Sequence, residues 1–263
     1  MKSSLITPEV SGLHPLIDDL AACIRYHWNH FPEITALTID HELEAISGNL
    51  DGEALFIRNE LYHCRGFRKL HLETARLGVG LHILHCVFFP DPYFDLPIFG
   101  TDIVASPAGI SAAIFDLSPT STQLSDSVVN YIKGFPSFQY QQPRVLPTWG
   151  KIFSPIARFI RPMNLVEESK FLDEVNQFLL TINSGIKQLS PFPSNSIHTI
   201  NRHQIQLFYC MQQKRNDKTR RVLEKAFNTI WADKYINELL FDNPPALFCP
   251  KLENFGTLKV NGN

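Results

Sequence analysis

The chain has 263 residues, of which 44% are hydrophobic and 19% are charged. This composition is typical of a globular protein and excludes a disordered or fibrous one. The formal net charge of -2 argues against a protein that binds nucleic acid through bulk positive charge. Length and composition predict one large domain over residues 1–242, and the Pro-Pro pair and polar end predict a loosely packed tail over residues 243–263.

Five cysteines are spread along the chain without a CxxC pair: Cys23, Cys64, Cys86, Cys210 and Cys249. Their odd number and wide spacing predict neither a disulfide framework nor an iron–sulfur or zinc centre built on cysteine. The start, MKSSLITPEV, lacks the apolar core of a signal peptide, and no later run approaches the roughly 18 apolar residues that cross a membrane. We therefore expect a cytoplasmic protein with no membrane partner.

The first predicted helix covers Leu16 to Phe31, where apolar side chains recur every three or four positions before Pro32. From Ala54 to Leu117 the sequence changes to short runs rich in Val, Ile, Phe and Tyr. These runs are separated at Asn59-Glu60, Gly78 to Gly80, Pro90 to Pro97 and Pro107 to Gly109. Because such short connections favour antiparallel neighbours, they predict an antiparallel β-meander.

Helical periodicity returns after Pro162, with segments predicted at Leu165 to Ile186, about Arg202 to Gln213, and Asp217 to Phe241. The last segment has the clearest apolar stripe, formed by Val222, Leu223, Ala226, Phe227, Ile230, Trp231 and Leu239. Helices before and after a block of strands predict an α+β fold. We expect a three-layer α/β/α sandwich whose central antiparallel sheet is flanked by helices.

The strand predicted at Phe67 to Arg76 carries unusual polarity for a central strand. Alternation places His71 and Glu73 on one face, together with Phe67 and Lys69. In the next strand, Leu81 to Phe89, His82 and His85 point to opposite faces by the same rule.

Asp102 lies in a third, otherwise apolar strand, Ile98 to Ser106, where an ionised carboxylate is costly unless it is paired or shares a proton. If the three strands are neighbours, Glu73, His85 and Asp102 can meet on one face. Two carboxyl groups around an imidazole can move protons at neutral pH.

Spacing leaves two other interpretations of these side chains open. Buried polar residues in strands more often form structural hydrogen bonds than perform catalysis. His71, Glu73, His85 and Asp102 could also bind a metal ion, although no HExxH motif or comparable spacing supports this.

A basic segment surrounds the start of the last predicted helix, NDKTRRVLEKAF from Asn216 to Phe227. Asp217 is predicted to cap this helix, whose first turn exposes Lys218, Arg220 and Arg221. With Lys214 and Arg215 these charges form a patch suited to carboxylates, phosphates or an acidic protein, or a merely solvated face. Nucleic acid is disfavoured because no aromatic residues are interleaved with the charges.

Five blocks resemble the ferredoxin-dependent bilin reductases: FRKLHLE (67–73), LHILHCVFFP (81–90), FGTDIVASPAGISAAIFDLSP (99–119), LPTWGKIFS (146–154) and NDKTRRVLEKAF (216–227). The resemblance runs in chain order from about Leu13 to Asp242. It implies an α/β/α sandwich that binds biliverdin IXα between the sheet and the C-terminal helices. It also implies an oxidoreductase that acts on CH–CH groups as a monomer, takes electrons from reduced ferredoxin, and binds no flavin, nicotinamide or metal cofactor.

The resemblance also implies roles for individual residues. Asp102 matches the family's central proton-donating aspartate, His85 its histidine partner, and Glu73 the glutamate associated with reduction of the D-ring vinyl group. The family's substrate-binding positions are matched by His71, Ser111, Arg144, Asn216 and Lys218. Of these, Ser111 and Arg144 match residues that hold a propionate, and Lys218 matches a lysine at the pocket entrance.

Within the family, the chain is most similar to the members that make phycocyanobilin. Members that make phycoerythrobilin or phytochromobilin resemble it less and do not combine residues like Glu73 and His85. The expected activity is therefore reduction of biliverdin IXα to phycocyanobilin in two successive two-electron steps, first at the D-ring vinyl and then at the A-ring. A different bilin product, or a bilin carrier without turnover, are the alternatives.

Overall fold

An eight-stranded antiparallel sheet forms the centre of the protein in the computed structural model, which describes residues 12–135, 138–148 and 150–247. The strands are β1 (Thr35–Ala36), β2 (Ala45–Leu50), β3 (Glu53–Cys64), β4 (Phe67–Leu77), β5 (Leu81–Pro90), β6 (Ile98–Ser106), β7 (Gly109–Ser118) and β8 (Arg158–Ile160). They lie in the order β1-β3-β4-β5-β6-β7-β8, and β2 also pairs with β3. The antiparallel meander predicted from the short connections is confirmed.

Helices cover both faces of this sheet. They are α1 (Pro15–Trp28), α2 (His41–Glu44), α3 (Asp126–Lys133), α4 (Leu165–Gln188), α5 (Ile197–Gln213), α6 (Asp217–Ala226) and α7 (Thr229–Lys234), with a 3-10 turn (Gly150–Ile152) and a π-helical turn (Tyr235–Leu240). One apolar core joins the sheet to α1 and α4, and a second joins the opposite face to α5, α6, α7 and the π-helical turn. The predicted three-layer α/β/α sandwich is therefore confirmed.

The turn predicted at Asn59-Glu60 is wrong, because both residues lie inside β3. The reversal occurs earlier, at Asp51 and Gly52, which join Leu50 of β2 to Glu53 of β3 with φ angles of 56° and 88°. An Asp-Gly pair with two positive φ angles suits a two-residue hairpin whose twist matches the sheet. Asn59 can stay in the strand because its buried amide finds hydrogen-bond partners there.

The single helix predicted at Asp217 to Phe241 is also wrong, because the chain breaks after Ala226. Phe227 leaves helical geometry, and its ring packs so closely on β2 that a Cβ on Gly48 would lie 2.5 Å from it. Asn228 then begins α7, with its side chain accepting a hydrogen bond from the Trp231 backbone. The break leaves Ile230, a member of the predicted stripe, 84% exposed.

Replacing Phe171 with alanine is expected to lower the free energy of unfolding by about 3 to 5 kcal/mol. Phe171 lies on α4, is fully buried, and packs edge-on against Phe115 of β7 with 5.3 Å between the ring centroids. Urea denaturation measures the change. Phe208→Ala is the matched control, since that ring is 46% exposed, and equal losses in the two variants would contradict this description of the core.

Candidate active site

A row of directly opposite residues crosses the sheet and holds the polar side chains singled out from the sequence. Asn59 of β3 pairs with Glu73 of β4, Glu73 with His85 of β5, His85 with Asp102 of β6, and Asp102 with Ile114 of β7. Side chains at opposite positions in an antiparallel sheet point to the same face. The register therefore places Glu73, His85 and Asp102 side by side, on the face covered by the C-terminal helices.

His82 points to the other face, as alternation along β5 predicts. Its electrostatic neighbours are Arg76, His14 and Asp18, and the two latter residues lie at the start of the chain beside or within α1. Burial, followed by Arg76 and His14, lowers the pKa of His82. His82 therefore takes no part in the polar row.

The prediction that Phe67 shares a face with Lys69, His71 and Glu73 is wrong. The pairing of β4 with β5 shifts register between Phe67 and Lys69, so the alternation is interrupted at Arg68. Phe67 consequently packs in the core with α1 and α4. Lys69, His71 and Glu73 keep the opposite face.

His85 and Asp102 form the closest polar contact of the row, with 2.5 Å between His85 Nδ1 and Asp102 Oδ1. The side chain of His85 is 15% exposed and that of Asp102 is 46% exposed, so the carboxylate is paired and also accessible. Burial alone would lower the pKa of His85, but the pKa is raised overall, chiefly by the charge and hydrogen bond of the adjacent Asp102 carboxylate. The pairing thereby favours the protonated form of His85 more than in a free imidazole.

His71 lies two residues before Glu73 in β4 and on the same face, and its Nε2 is 2.9 Å from Asn59 Oδ1. Complete burial lowers the pKa of His71 well below its usual value, and the nearby Lys69 and His85 add to this. The rings of His71 and His85 meet edge to face with 5.9 Å between centroids. Within the described chain, His71 Nδ1 and His85 Nε2 are buried and have no hydrogen-bond partner.

Glu73 contacts Tyr235, the first residue of the π-helical turn, with 2.7 Å between Glu73 Oε2 and the tyrosine hydroxyl. The same hydroxyl lies 2.9 Å from Asn59 Oδ1. Burial raises the pKa of Glu73 and raises that of Tyr235 well above its usual value. Neither Tyr235 nor Asn59 is predicted from the sequence as a site residue, although a tyrosine in an apolar helix generally needs a partner for its hydroxyl.

Lys69, on the same face of β4, anchors the end of the C-terminal helical segment. Its Nζ donates hydrogen bonds to the Leu239 and Leu240 carbonyls and to the Asp242 carboxylate, which also pairs with Arg68. Burial lowers the pKa of Lys69 to about 8. The predicted tail begins just beyond this anchor, and residues 248–263 lie outside the described residues.

Ser111 and Arg144 lie near one end of the polar row. Ser111 is the extra residue where the pairing of β6 with β7 shifts, and its hydroxyl donates to the Val104 carbonyl at 2.9 Å. The Arg144 guanidinium lies 5.7 Å from the ring centroid of Phe159, which pairs with Ile114 in the next position of the row. Both side chains are exposed.

Asn216, and not Asp217 as predicted, caps α6 by accepting a hydrogen bond from the Lys218 backbone. Lys218 is exposed in the first turn. Among the residues that the structure describes, no hydrogen bond or ion pair joins Ser111, Arg144, Asn216 or Lys218 to the polar row. Their predicted contacts with a substrate stay predictions.

The basic segment is partly neutralised by its own neighbours. Arg220 pairs with Asp233 and Glu224, and Arg221 pairs with Asp217. In the parts of the chain with described structure, Lys214 and Lys218 form no ion pair. Arg215 likewise forms no ion pair among the described residues and hydrogen-bonds only Gln212. These three cations of the segment therefore remain available to a partner.

The described residues include no group of three or more His, Cys, Asp or Glu side chains arranged to hold a metal ion. None of their helices combines the length and the apolar character needed to cross a membrane.

The row combines a paired imidazole, an accessible carboxylate and a buried carboxyl group within three neighbouring strands. His85 and Asp102 can pass a proton to a molecule that lies on this face, because Asp102 is both accessible and hydrogen-bonded to a protonatable ring. Glu73 is a second, separate proton donor, because burial raises its pKa and so favours its neutral form. The site is suited to a reaction that delivers protons to more than one position of a substrate.

Comparison with known proteins gives a family and two close relatives. A family model described as ferredoxin-dependent bilin reductase matches residues 21–242. The phycocyanobilin:ferredoxin oxidoreductase of Prochlorococcus marinus (strain MIT 9303) is 56% identical over 242 residues, which cover 91% of this chain and 92% of the relative. The protein of that name from Synechococcus sp. (strain CC9902) is 58% identical over 233 residues, covering 89% and 95% of the two chains.

The fold recurs in a solved structure of tomato phytochromobilin synthase in complex with biliverdin. That structure matches with a TM-score of 0.67 and covers 85% of this chain and 82% of the tomato chain. At 14% identity the match supports the shared architecture alone.

Proposed function

The chain belongs to the ferredoxin-dependent bilin reductase family, and we propose that it reduces biliverdin IXα to phycocyanobilin. The observation that carries the proposal is the row of Glu73, His85 and Asp102 in a chain of this family. The substrate class comes from the family, and the product comes from the relatives that are 56% and 58% identical. The family is ferredoxin-dependent, so the electrons come from an external iron–sulfur protein.

In this proposal the bilin itself accepts the electrons, one at a time. Its extended conjugation lets it hold a single electron as a radical, so the protein supplies binding, orientation and protons. Each two-electron step takes up two electrons and two protons, first at the D-ring vinyl group and then at the A-ring. No flavin, nicotinamide or metal cofactor is required.

We take the roles of the proton donors from the family resemblance, and the environments of these residues are compatible with those roles. Asp102, which matches the family's central proton-donating aspartate, supplies protons to the bilin with His85 behind it, since its carboxyl is accessible and hydrogen-bonded to a protonatable ring. Glu73, which the resemblance associates with the D-ring vinyl group, supplies the proton for that step, and its carboxyl is buried at the other end of the trio. His71 supports the substrate face, while Ser111 and Arg144 hold a propionate, and Asn216 and Lys218 border the pocket.

Anaerobic turnover of biliverdin with a ferredoxin-reducing system tests the proposal. We expect biliverdin absorbance to fall and the product to coelute with phycocyanobilin on chromatography. A different bilin product would contradict the assigned product while retaining the reductase activity. Biliverdin that binds without being reduced would identify a carrier, and neither binding nor reduction would contradict the proposal entirely.

The rate of ferredoxin-dependent turnover is expected to fall about tenfold as ionic strength rises from about 0.01 to 0.15 M, because the Debye length shortens from about 30 to 8 Å. The half-buried Lys214 and the exposed Arg215 and Lys218, which form no ion pair among the described residues, motivate this expectation, since ferredoxins are generally acidic and an acidic partner is attracted to accessible cations. Biliverdin binding, measured in the same salts, is the control. A salt-independent rate would contradict docking at this patch.

We further propose that the protein acts as a monomer in the cytoplasm. The 1–242 segment is proposed to form the complete catalytic domain, since the family model ends at residue 242 and the Asp242 carboxylate is held by Lys69 and Arg68. Truncation after residue 242 is expected to leave turnover unchanged. Loss of turnover in the truncated protein would assign a role to the tail.

A further inference from the structure

Glu73, Tyr235 and Asn59 form a chain of hydrogen bonds that ends on the Leu43 carbonyl. This carbonyl fixes which atom of Asn59 is the donor. Asn59 Nδ2 lies 2.6 Å from the Leu43 carbonyl oxygen. A carbonyl oxygen only accepts, so the Asn59 atom that faces it must be the amide nitrogen, and the other end of the amide must be the oxygen. Asn59 Oδ1 is therefore an acceptor for both of its neighbours, His71 Nε2 and the Tyr235 hydroxyl.

The Tyr235 hydroxyl makes two oxygen–oxygen contacts but carries one proton. It lies 2.9 Å from Asn59 Oδ1, which cannot donate, so the tyrosine proton is needed in that contact. It also lies 2.7 Å from Glu73 Oε2, and this second contact needs a proton of its own. With the tyrosine proton already used, that proton must belong to the glutamic acid.

We propose that Glu73 is a neutral carboxylic acid in the resting, bilin-free protein, held in that form by the chain Glu73–Tyr235–Asn59–Leu43. In this arrangement Glu73 Oε2–H donates to Tyr235, Tyr235 donates to Asn59, and Asn59 donates to the Leu43 carbonyl. Every contact in the chain then contains one proton. An ionised Glu73 would leave one of the two tyrosine contacts between oxygen lone pairs, which is costly in a buried site.

The electrostatic surroundings of Glu73 agree with this assignment. The charged groups that face it are His85 from β5 and Asp102 from β6, with Tyr235 above it from the π-helical turn. The largest effect is burial, which raises the pKa of Glu73, and Asp102 acts in the same direction while His85 opposes it. Because His85 forms its hydrogen bond with Asp102, its positive charge is balanced mainly by that carboxylate.

The inference rests on the proposed function for its meaning in the reaction. A neutral Glu73 carries its proton before biliverdin binds, so the proton donor for the vinyl step is already protonated when that step begins. Tyr235 and Asn59 act as positioning residues through Glu73. Once Glu73 has given up its proton, rotation of the Tyr235 hydroxyl toward the carboxylate can stabilise the anion, since Asn59 Oδ1 keeps its contact with His71.

Infrared difference spectroscopy of the bilin-free protein tests the proposal without depending on turnover. Subtracting the spectrum of Glu73→Gln from that of the wild type at pH 7 isolates the Glu73 carboxyl group. We expect a band in the carbonyl-stretch region of protonated carboxylic acids that shifts on exchange into D2O. A wild-type band in the carboxylate region, with none in the acid region, would overturn the proposal whether or not the protein reduces biliverdin.

Replacing Asn59 with alanine tests the direction of the chain. It frees the Tyr235 proton to turn toward Glu73, where a donor favours the carboxylate, so the acid band should titrate at a pH lower by about one to two units. Thr101→Val is the matched control, because Thr101 is also buried and bonded to a backbone carbonyl but lies on the adjacent, oppositely facing position of β6. An Asn59→Ala acid band that titrates at the wild-type pH would contradict the chain, and if that variant does not fold, the wild-type spectrum still decides.

Discussion

Replacing Asp102 with asparagine is expected to lower the rate of biliverdin reduction by at least about a hundredfold while leaving biliverdin binding nearly unchanged. An amide keeps the shape of the carboxyl group but cannot deliver its proton. The hydrogen bond with His85 would persist, because an asparagine oxygen still accepts from His85 Nδ1. In the parent protein this nitrogen lies 2.5 Å from Asp102 Oδ1. Anaerobic turnover and a binding titration, measured in parallel, separate the two effects.

Asp51→Asn is a suitable control for this variant. Asp51 is an exposed carboxylate whose partner is Lys225, far from the polar row in the sheet. It should turn over at the parent rate. Parent-like turnover by Asp102→Asn would remove Asp102 from the proposed mechanism.

Replacing Glu73 with glutamine is expected to block reduction of the D-ring vinyl group selectively, so that the recovered bilin retains that group. The glutamine side chain would fill the same space opposite His85 and beneath Tyr235 but would carry no acidic proton. Loss of at least about a hundredfold in the vinyl step is the size expected for a missing general acid. Chromatography and mass analysis of the products give the measurement.

His82→Gln provides the comparison for Glu73→Gln, because His82 lies on the other face of the sheet. That variant should yield the parent product at the parent rate. If Glu73→Gln also gave the parent product at the parent rate, another group would be the donor in the vinyl step.

The strands that carry the site could be predicted because strong turn signals in the local sequence mark their ends. The strand predicted at Ile98 to Ser106 agrees with β6, and the one predicted at Leu81 to Phe89 agrees with β5 to within one residue. The chain reverses direction at Gly78 to Gly80 and again in the proline-rich connection after Pro90. Two-residue alternation within these strands was then enough to place His85, and not His82, beside Asp102.

Other features depended on contacts that local sequence does not contain. The bulge near Arg68 moved Phe67 to the other core, and the packing of Phe227 on Gly48 broke a helix whose apolar period looked continuous. Asn59 resembled a turn residue, yet its partners Leu43 and His71 keep it in a strand. Neither its partners nor the break after Ala226 could be read from periodicity alone.

In the candidate site, too, some residues could be predicted from local sequence and others only from the folded structure. Glu73, His85 and Asp102 were selected from polarity on neighbouring strands, and their assigned roles came from the family resemblance. Tyr235 was missed because it lies 162 residues from Glu73 along the chain, and only the folded C-terminal segment brings its hydroxyl to the carboxyl group. The proton count that involves Tyr235 needed the observed hydrogen-bond partners and could not come from the sequence.

The central claim is that the polar row delivers protons to a bilin that has already received an electron. Electron paramagnetic resonance after anaerobic mixing of biliverdin-loaded protein with reduced ferredoxin tests this most directly. We predict that the bilin radical forms in both the parent protein and Asp102→Asn, then decays to product in the parent and persists in the variant. Radical decay in Asp102→Asn at the parent rate would contradict the claim.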